Sequence, residues 1–477
     1  MTKDKKAYYV TTAIPYVNAK PHIGHALEFL YGDVITRYQR MIGNTVLFLS
    51  GSDENALKNV QAAQAQGKDV QEFVDENARS FESLAEKLHV TFDVFQKGSD
   101  TKHHFPSSQE LWKRCEKNGD IYKKTYSGLY CVGCETFYDP SELDENGECC
   151  EHPGKKLDTV SEENYFFKLS RYQKQIIDLI ESGTLSIVPE TRKREVLGFL
   201  RQQLQDISIS RSNERAKNWG VPVPGDPSQR MYVWFDALNI YQSGIGFGWD
   251  EKTYQAWWPA DVHVIGKGII RFHAVYWPAF LLSAQLPLPK SLFVHGYVTV
   301  DGKKMSKTVG NVVDPFSLLT EFGVDAVRYY FLREIPSYGD GDFSHSRFVD
   351  VYNADLANGW GNLVARVAKL SEKAGITITN YPPLDTYHAC MNEFRFNDAL
   401  AYIWKEIARL DKHINDTQPW ELEQEKLLSV MVPVAQRVHD LAYLLSPFLP
   451  ETSECVMKQY SGAVHAATPL FPRITRS

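Results

Sequence analysis

The opening of the chain constrains its fold most, because it alternates strand, loop, helix and strand. Residues from Ala7 to Ile14 form a short apolar and β-branched run, which is typical of a buried strand. A loop from Pro15 to Pro21 leads into an amphipathic helix that runs to about Arg40, and a second strand-like run extends from Thr45 to Leu49. Two strands joined by a helix predict the start of a parallel sheet of the doubly wound, Rossmann type.

Later segments predict that an insertion interrupts this sheet and that helices follow it. The composition changes to Cys, Gly and acidic turns near residue 117 and becomes Pro-rich near residue 222. Strand-like runs return at Met231 to Phe235, His263 to Ile265 and Leu292 to Val294, and the apolar spacing is helical after Val351. We expect an α/β fold with two halves of a sheet domain (1–116 and 231–298), an insertion (117–230), a linker (299–350) and an α-helical bundle (351–477).

Length and composition are those of a multidomain globular protein. At 477 residues the chain exceeds a single core, so about two to four domains are expected. No apolar run approaches the ~18 residues of a membrane span, and the charged start lacks the core of a secretory signal, so we expect a cytoplasmic protein. The net charge of −7 argues against indiscriminate coating of nucleic acid, but it does not exclude a partner recognised by local Lys and Arg side chains.

A cysteine cluster predicts a zinc site. Four of the seven cysteines lie between residues 131 and 150, which in a large chain of this kind favours a metal site over disulfides. A Cys-x-x-Cys pair and a Cys-x-x-His pair, with fourteen residues between them, make a tetrahedral pattern whose ligands are Cys131, Cys134, Cys149 and His152. Cys150 leaves the third ligand open, although only Cys149 has the usual two-residue gap to the histidine.

Two short motifs have the chemistry of phosphate binding. His22-Ile23-Gly24-His25 lies at a strand-to-helix junction, where backbone N–H groups and two imidazoles favour an anion. Lys303-Lys304-Met305-Ser306-Lys307-Thr308 forms a cationic loop suited to a departing pyrophosphate. Either motif alone is compatible with an ordinary solvated turn or loop. Together, and in this order, they are the signature of class I aminoacyl-tRNA synthetases.

The longer strings around these motifs resemble the methionyl-tRNA synthetase family over essentially the whole chain. They are TTAIPYVNAKPHIGHA, YVWFDALNIY, GYVTVDGKKMSKTVGNVVDP and VDAVRYYFLREIPSYGDGDFS. The resemblance is to the branch with a single zinc knuckle. It implies an enzyme that activates L-methionine with ATP and Mg²⁺ to methionyl-adenylate and transfers the methionyl group to the 3′ end of tRNA(Met). It also implies that residues 299–350 carry the KMSKS loop and that residues 351–477 bind the anticodon.

The resemblance assigns residues to the phosphate site. The implied catalytic residues are His22, Gly24, His25, Lys304 and Lys307. The implied ATP contacts are His22, His25, Gly266, Lys267, Lys304, Ser306 and Lys307. Gly268 stands where the family usually has aspartate, and Asn55-Ala56 replaces the more common His-Gly. Neither departure touches the reacting groups, but either could alter nucleotide affinity.

The resemblance also implies a methionine pocket. Aromatic walls suit a polarizable thioether, although aromatic residues at helical spacing are more often plain core. The implied side-chain contacts are Ile14, Tyr16, Trp234, Ala237, Tyr241, Phe272, His273 and Trp277, with Asp53 on the α-ammonium group. Such a pocket discriminates weakly against near-isosteres, because one methylene is worth only about 1–3 kcal/mol.

Three residues in the helical region are implied readers of a CAU anticodon. Asn362 and Arg366 are four residues apart and so share a helix face, and Trp420 follows Pro419 at an expected helix-to-helix junction. An amide, a guanidinium and an aromatic plane provide edge recognition and stacking for unpaired bases.

Two alternative functions stay open for this chain, another class I synthetase and a non-catalytic tRNA-binding paralogue. The chain stops soon after the helical region, so a monomer is expected.

Overall fold

The computed structural model describes residues 6–133, 136–138, 140–149, 154, 156–305, 310–378 and 385–475. These residues form two compact units. The first lies within residues 1–21, 43–84 and 91–294, and the second lies within residues 22–42, 85–90 and 295–477. None of the helices in the described ranges is both long enough and apolar enough to cross a membrane.

The first unit is built on a mainly parallel sheet. Within the described chain this sheet has six strands, in the order Val94–Lys97, Thr45–Ser52, Ala7–Thr12, Val262–Gly266, Ser291–His295 and Ser186–Val188. Tyr9 lies opposite Leu47 and Val10 lies opposite Val262, both in parallel register. The predicted strands at the start of the chain, at His263 to Ile265 and at Leu292 to Val294 are confirmed.

The strand order creates a switch point beside the first strand. From Ala7–Thr12 the chain builds outward through Thr45–Ser52 and Val94–Lys97, and it later adds Val262–Gly266 on the other side. Ligands of doubly wound sheets bind at the carboxyl ends of the strands where the order reverses. Ile14, Asp53 and Gly266 all lie at or just after these carboxyl ends.

The segment predicted as an insertion contains two smaller sheets. One has the strand order Thr136–Tyr138, Ile121–Cys131, Asp158–Phe167 and Ile207–Ser208, and the other has the order Pro222–Val223, Asp226–Met231 and Ser210–Ser212. Strand Ser186–Val188 of the same segment pairs in parallel with Ser291–His295, at the edge of the main sheet.

The remaining elements of the first unit are helical. The α-helices are Leu57–Ala65, Val70–Lys87 (which continues into the second unit), His104–Lys117, Gln173–Glu181, Glu190–Leu200, Asn213–Ala216, Val233–Leu238, Ile240–Ser243, Glu251–Trp257 and Trp277–Ser283. Short 3₁₀ turns cover Pro140–Glu142, Leu169–Tyr172 and Lys267–Ile269, and a π-helix covers Phe272–Tyr276. The strand predicted at Met231 to Phe235 is wrong, because the strand ends at Met231 and a helix begins at Val233.

The second unit is mainly helical, as predicted for the C-terminal region. It begins with the helix Ile23–Met41, which ends close to the expected position. The other α-helices are Pro315–Phe322, Val324–Glu334, His345–Val351, Asn362–Ala374, Asp385–Asn392, Phe396–Thr417, Gln424–Leu445 and Pro450–Gln459, with a π-helix at Tyr352–Gly361 and a 3₁₀ turn at Pro419–Glu421. The strands are Val298–Val300, Lys303–Lys304, Gly341–Phe343, Thr377–Ile378 and Gly462–Ala463.

A buried arginine joins several segments of the second unit. Arg328, on helix Val324–Glu334, is fully buried and donates to Asp33 Oδ2 at 2.6 Å on the first helix. It also donates to the carbonyl oxygens of Leu88 at 2.9 Å, Pro447 at 2.8 Å and Phe448 at 2.8 Å. Burial lowers the pKa of Arg328, and the Asp33 carboxylate opposes this by stabilising the charged form. These hydrogen bonds fix the first helix against the C-terminal helices.

Candidate active site

The predicted methionine-site side chains of the first unit meet in one place. We call Tyr16, Trp234, Tyr241, Phe272, His273 and Trp277 the aromatic cluster. The rings of Trp234 and Phe272 stack with their centroids 3.7 Å apart, and the Tyr16 ring meets Trp234 edge-on at 6.3 Å. The Tyr241 hydroxyl lies 2.7 Å from His273 Nε2, and its ring lies 6.4 Å from that of Trp277. Ala237 and Ile14 pack in the same apolar core.

Helices place the members of the aromatic cluster. Trp234 and Ala237 lie on Val233–Leu238 and Tyr241 lies on Ile240–Ser243, so the three-and-four spacing seen in the sequence is helical. Phe272 and His273 lie in the π-helix Phe272–Tyr276, which continues as the helix carrying Trp277. Such π-helical turns are frequent at functional sites.

His273 is held in its neutral form. Its Nδ1 lies 3.0 Å from the carbonyl oxygen of Ile269, and a carbonyl only accepts, so the proton is assigned to Nδ1. Nε2 then accepts the Tyr241 hydroxyl hydrogen. Burial lowers the pKa of His273 to about 4, and the Ile269 carbonyl partly opposes this. The Tyr241 hydroxyl therefore has a fixed donor direction.

A second buried histidine, His263, lies behind Tyr241. Its Nδ1 is 2.6 Å from Thr11 Oγ1, and its ring lies 4.4 Å from the Tyr241 ring. Its Nε2 is buried and has no hydrogen-bond partner among the residues described. Burial, with a smaller contribution from His273, holds the pKa of His263 well below its usual range. Sequence reasoning missed this residue, because one histidine within an apolar strand has no distinctive spacing.

The segment after the second strand is fixed by polar contacts. Asp53 donates its backbone N–H to Pro15 O at 2.9 Å, and its own carbonyl accepts from Asn59 at 2.8 Å. Glu54 accepts from the Ser52 hydroxyl at 2.7 Å and from the backbone N–H of Ser99 at 3.1 Å. These bonds hold Asp53 beside Tyr16, with which it forms a parallel backbone bridge.

Asn55, one of the two departures from the family pattern, has a structural role here. It is buried and donates to Gly98 O at 2.8 Å and to Asp236 Oδ2 at 2.6 Å. It therefore joins the carboxyl ends of two strands to the helix that carries Trp234.

Gly266 ends strand Val262–Gly266, and Lys267 begins the following 3₁₀ turn. The other departure, Gly268, is exposed in that turn.

In the second unit, His22 and His25 cap the first helix reciprocally. Gly24 N donates to His22 Nδ1 at 3.1 Å, and His22 N donates to His25 Nδ1 at 3.1 Å. Each neutral ring therefore carries its proton on Nε2, a donor suited to a phosphate oxygen. Burial, with a smaller effect of His22, holds the pKa of His25 well below its usual range. We call residues 22–25 the histidine turn.

Gly24 is required by close packing in the histidine turn. A Cβ at this position would lie 2.9 Å from His22 Cε1, closer than packed carbon atoms approach. It would also lie 3.8 Å from Met305 Cε, so Met305 of the late cationic motif is close to the histidine turn. A glycine here also lets a ligand approach the backbone closely.

The late cationic motif begins on a tight hairpin. Lys303 and Lys304 pair with Val300 and Thr299, and the turn residues Asp301 and Gly302 have φ of 49° and 73°. Two positive φ values and an Asp-Gly sequence are typical of a type I′ turn. Ser306 and Lys307, predicted here as ATP contacts, lie outside the described residues, and of Lys304 only the backbone is described.

Two of the four predicted zinc ligands are described, and both fit a thiolate site. Cys131 ends strand Ile121–Cys131, next to the turn before Thr136–Tyr138, and Cys149 donates to the Tyr138 hydroxyl at 3.4 Å. Both are buried thiols beside one hairpin. Cys134 and His152, and the alternative ligand Cys150, lie outside the described residues. Within the described ranges alone, no group of three or more His, Cys, Asp or Glu forms a metal site.

The predicted anticodon residues lie on two neighbouring elements of the second unit. Asn362 and Arg366 share helix Asn362–Ala374, and Trp420 lies in the 3₁₀ turn Pro419–Glu421 between two helices, as expected. Trp420 is 45% exposed, so it is not a core residue. Arg366 donates to Asp411 at 2.6 Å and to Asn415 at 2.8 Å, two residues that sequence reasoning did not assign. Their four-residue spacing on one helix was the available signal.

Comparison with known proteins shows the family. The model of the tRNA synthetases class I (M) family matches residues 8–368. The methionine–tRNA ligase of Thermotoga maritima is 41% identical, and the match covers 95% of this chain and 75% of that protein. The methionine–tRNA ligase of a Nostoc species is also 41% identical, and the match covers 98% of this chain and 92% of that protein. A structure of Mycobacterium tuberculosis methionyl-tRNA synthetase in complex with methionyl-adenylate aligns with a TM-score of 0.91 at 37% identity, covering 98% of this chain and 100% of that chain.

The chain belongs to the methionyl-tRNA synthetase family. Membership in the methionyl-tRNA synthetase family removes the alternative of another class I synthetase. The match also confirms the parallel-sheet core and the helical C-terminal region as features of this family. The roles of single residues in the aromatic cluster and the histidine turn stay predictions.

Proposed function

We propose that the chain is a methionine–tRNA ligase that joins L-methionine to tRNA(Met) at the expense of ATP. The observation that carries this proposal is the aromatic cluster, where the stacked Trp234 and Phe272 rings lie beside the Tyr241–His273 hydrogen bond. Sulfur makes favourable contacts with aromatic rings, so this cluster suits a thioether. The similarity to a structure that contains methionyl-adenylate supports the same substrate.

In the proposed first step, the aromatic cluster takes the methionine side chain and Asp53 takes the α-ammonium group. A carboxylate oxygen of methionine attacks the α-phosphorus of ATP. A new oxygen–phosphorus bond forms, and the bond to the bridging oxygen breaks and releases pyrophosphate. Positioning and charge stabilisation carry most of such a transfer.

The proposed phosphate contacts are the Nε2–H donors of His22 and His25, with Gly24 between them allowing the phosphates to approach the backbone closely. The remaining contacts of this proposal are Gly266, Lys267, Lys304, Ser306 and Lys307. Mg²⁺ bound with ATP would neutralise part of the phosphate charge. The neutral state of His25, set by its lowered pKa, keeps it a hydrogen-bond donor rather than a titrating group near neutral pH.

In the proposed second step, the terminal ribose hydroxyl of tRNA attacks the carbonyl carbon of the adenylate, and AMP leaves. Asn362, Arg366 and Trp420 would read the CAU anticodon, so residues 351–477 would bind tRNA, and residues 299–350 would form the linker that carries the KMSKS loop. All proposed groups come from one chain, so we propose a monomer. We also propose that the protein acts in the cytoplasm, where it would meet its tRNA substrate.

We also propose that one zinc ion is held by Cys131, Cys134, Cys149 and His152 in a structural role. The burial of Cys131 and Cys149 beside one hairpin supports this set. When bound, zinc would fix the hairpin of the 117–230 segment. Metal analysis of active protein should give about one zinc per chain. Active, folded protein without zinc would contradict the site.

The deciding experiment is ATP–pyrophosphate exchange with each of the twenty amino acids, using zinc-replete protein. We expect exchange that is selective for methionine, with a weaker signal for norleucine or homocysteine because these differ little in shape from methionine. Selectivity for another amino acid would contradict the pocket. Absence of exchange with every amino acid would favour a non-catalytic tRNA-binding paralogue, and the first variant to make would then be Gly268→Asp.

A further inference from the structure

Lys58 lies at the border of the aromatic cluster, and neither the sequence motifs nor the proposed mechanism uses it. It is the second residue of helix Leu57–Ala65, directly after the buried segment of residues 53–56. Its side chain is half-buried. Its Nζ lies 2.9 Å from the centre of the Tyr16 ring and donates to the carbonyl oxygen of Gly133 at 3.3 Å.

The Tyr16 ring connects this cation to the proposed amino-acid site. Tyr16 meets Trp234 edge-on at 6.3 Å, and its backbone pairs with that of Asp53. The Lys58 ammonium is therefore held on a ring of the aromatic cluster, and the residue that carries this ring pairs through its backbone with Asp53, which is proposed to bind the α-ammonium group. A cation over an aromatic face is attracted by the ring quadrupole, which keeps Lys58 near the cluster.

An amino acid carries two opposite charges on one carbon atom, and a site for it needs a partner for each. Asp53 provides the negative partner, and Glu54 is already occupied by Ser52 and Ser99. The rings of the aromatic cluster carry no positive charge, so a carboxylate placed there without a cation would lose its hydration with no opposite charge to compensate for it. An ammonium group brings three donors and a full charge.

We propose that Lys58 binds the α-carboxylate of methionine beside the Tyr16 ring of the aromatic cluster. This inference rests on the proposed function and adds a substrate contact to it. Anchoring the carboxylate would also orient the oxygen that attacks ATP, because a bound reactant must be held near its attack geometry. Lys58 thereby contributes both to the affinity for methionine and to its alignment.

Lys58→Met tests the proposal because it keeps the length of the side chain and removes its charge. The two measurements are the KM for methionine in pyrophosphate exchange and the inhibition constant of methioninol, which keeps the thioether and the ammonium group but lacks the carboxylate. We expect the KM for methionine to rise about tenfold or more, the range for a charge-assisted hydrogen bond. The inhibition constant of methioninol should change much less, by about twofold or less, since methioninol has an uncharged hydroxyl where methionine has the carboxylate.

Lys58→Arg restores the charge and should recover most of the lost affinity for methionine. Equal weakening of methionine and methioninol would show a structural effect on the cluster and overturn the proposal, as would an unchanged KM in Lys58→Met. Lys58→Gln gives the same comparison if the Met variant does not fold. Wild-type protein without methionine-dependent exchange would refute the proposed function itself, whereas normal wild-type exchange with unaffected variants would refute this inference alone.

Discussion

At the scale of single residues, the chemistry of the aromatic cluster depends on the hydrogen bond between Tyr241 and His273. Tyr241→Phe removes the hydroxyl and leaves the buried His273 Nε2 without its donor. An unsatisfied buried polar atom costs about 1–3 kcal/mol, so the free energy of unfolding should fall by that amount. The KM for methionine should rise as well, because the His273 ring loses its partner. Denaturant unfolding and pyrophosphate exchange measure the two effects.

Tyr254→Phe is the matched control for this variant. Tyr254 is also buried, and its hydroxyl donates to Gln242 Oε1 at 2.7 Å outside the aromatic cluster. It should lose a similar amount of stability and keep the wild-type KM for methionine. A KM that rises equally in both variants would argue that stability alone, and not the cluster, controls methionine affinity.

His273 also predicts how stability depends on pH. Its pKa is about 4 in the folded protein and about 6.5 when unfolded, so below pH 6.5 the unfolded chain takes up a proton that the folded chain does not. Unfolding is therefore favoured as the pH falls. Between pH 7.5 and pH 5 this residue alone should remove about 2 kcal/mol of stability. Unfolding of wild type and His273→Gln at both values checks this, and an equal loss in the two proteins would contradict it.

At the scale of secondary structure, the sequence predicts long elements well, because they repeat their apolar period several times, and it mistakes a short buried helix for a strand. The first helix is long, and its predicted end differs from Met41 by about one residue, although in the structure only Arg40 of this helix is exposed. Val233–Leu238 is buried on every side, so it has no polar face, and its aromatic and β-branched residues favoured a strand instead. The π-helix Phe272–Tyr276 depends on tertiary packing that residue spacing does not encode.

The candidate site shows the same limit. Motif residues such as His22 and Trp234 were found because their neighbours form long, specific strings. His263, Asp411 and Lys58 were missed, because each acts through a contact with a residue distant in sequence: Tyr241, Arg366 and Tyr16, respectively. Only folding brings these pairs together, and of the three residues only Asp411, four residues before Asn415 on one helix, has a spacing that could have signalled its role.

The helices of the second unit should depend strongly on Arg328. Arg328→Met removes donors from Asp33 and from three buried carbonyl oxygens. Breaking a buried ion pair by removing one partner costs about 3–5 kcal/mol, so we expect a loss of this size in denaturant unfolding.

Arg37→Met is the comparison for Arg328→Met, because Arg37 pairs with the same Asp33 oxygen at 2.7 Å but has a side chain that is 29% exposed. Solvent weakens such a pair, and its loss should cost about 1 kcal/mol or less. Equal losses in the two variants would show that burial does not control the strength of these pairs.

At the scale of the whole molecule, the proposed functions divide between the two units. The aromatic cluster and Asp53 belong to the first unit, whereas the histidine turn and the proposed anticodon residues belong to the second. The net charge of −7 makes general attraction to RNA weak, so tRNA affinity should depend on a few local contacts. Methionine activation does not need those contacts, and the two partial reactions should therefore be separable by mutation.

Trp420 is the residue that should separate them. Its exposed ring is available to stack on an unpaired base, and such stacking is worth about 1–3 kcal/mol. Trp420→Ala should therefore lower kcat/KM for tRNA charging about 10- to 100-fold and leave pyrophosphate exchange unchanged. Trp249→Ala is the matched control, since Trp249 is 44% exposed against 45% for Trp420 but lies in the first unit. It should affect neither reaction, and a loss shared equally by charging and exchange in Trp420→Ala would indicate misfolding instead of a lost tRNA contact.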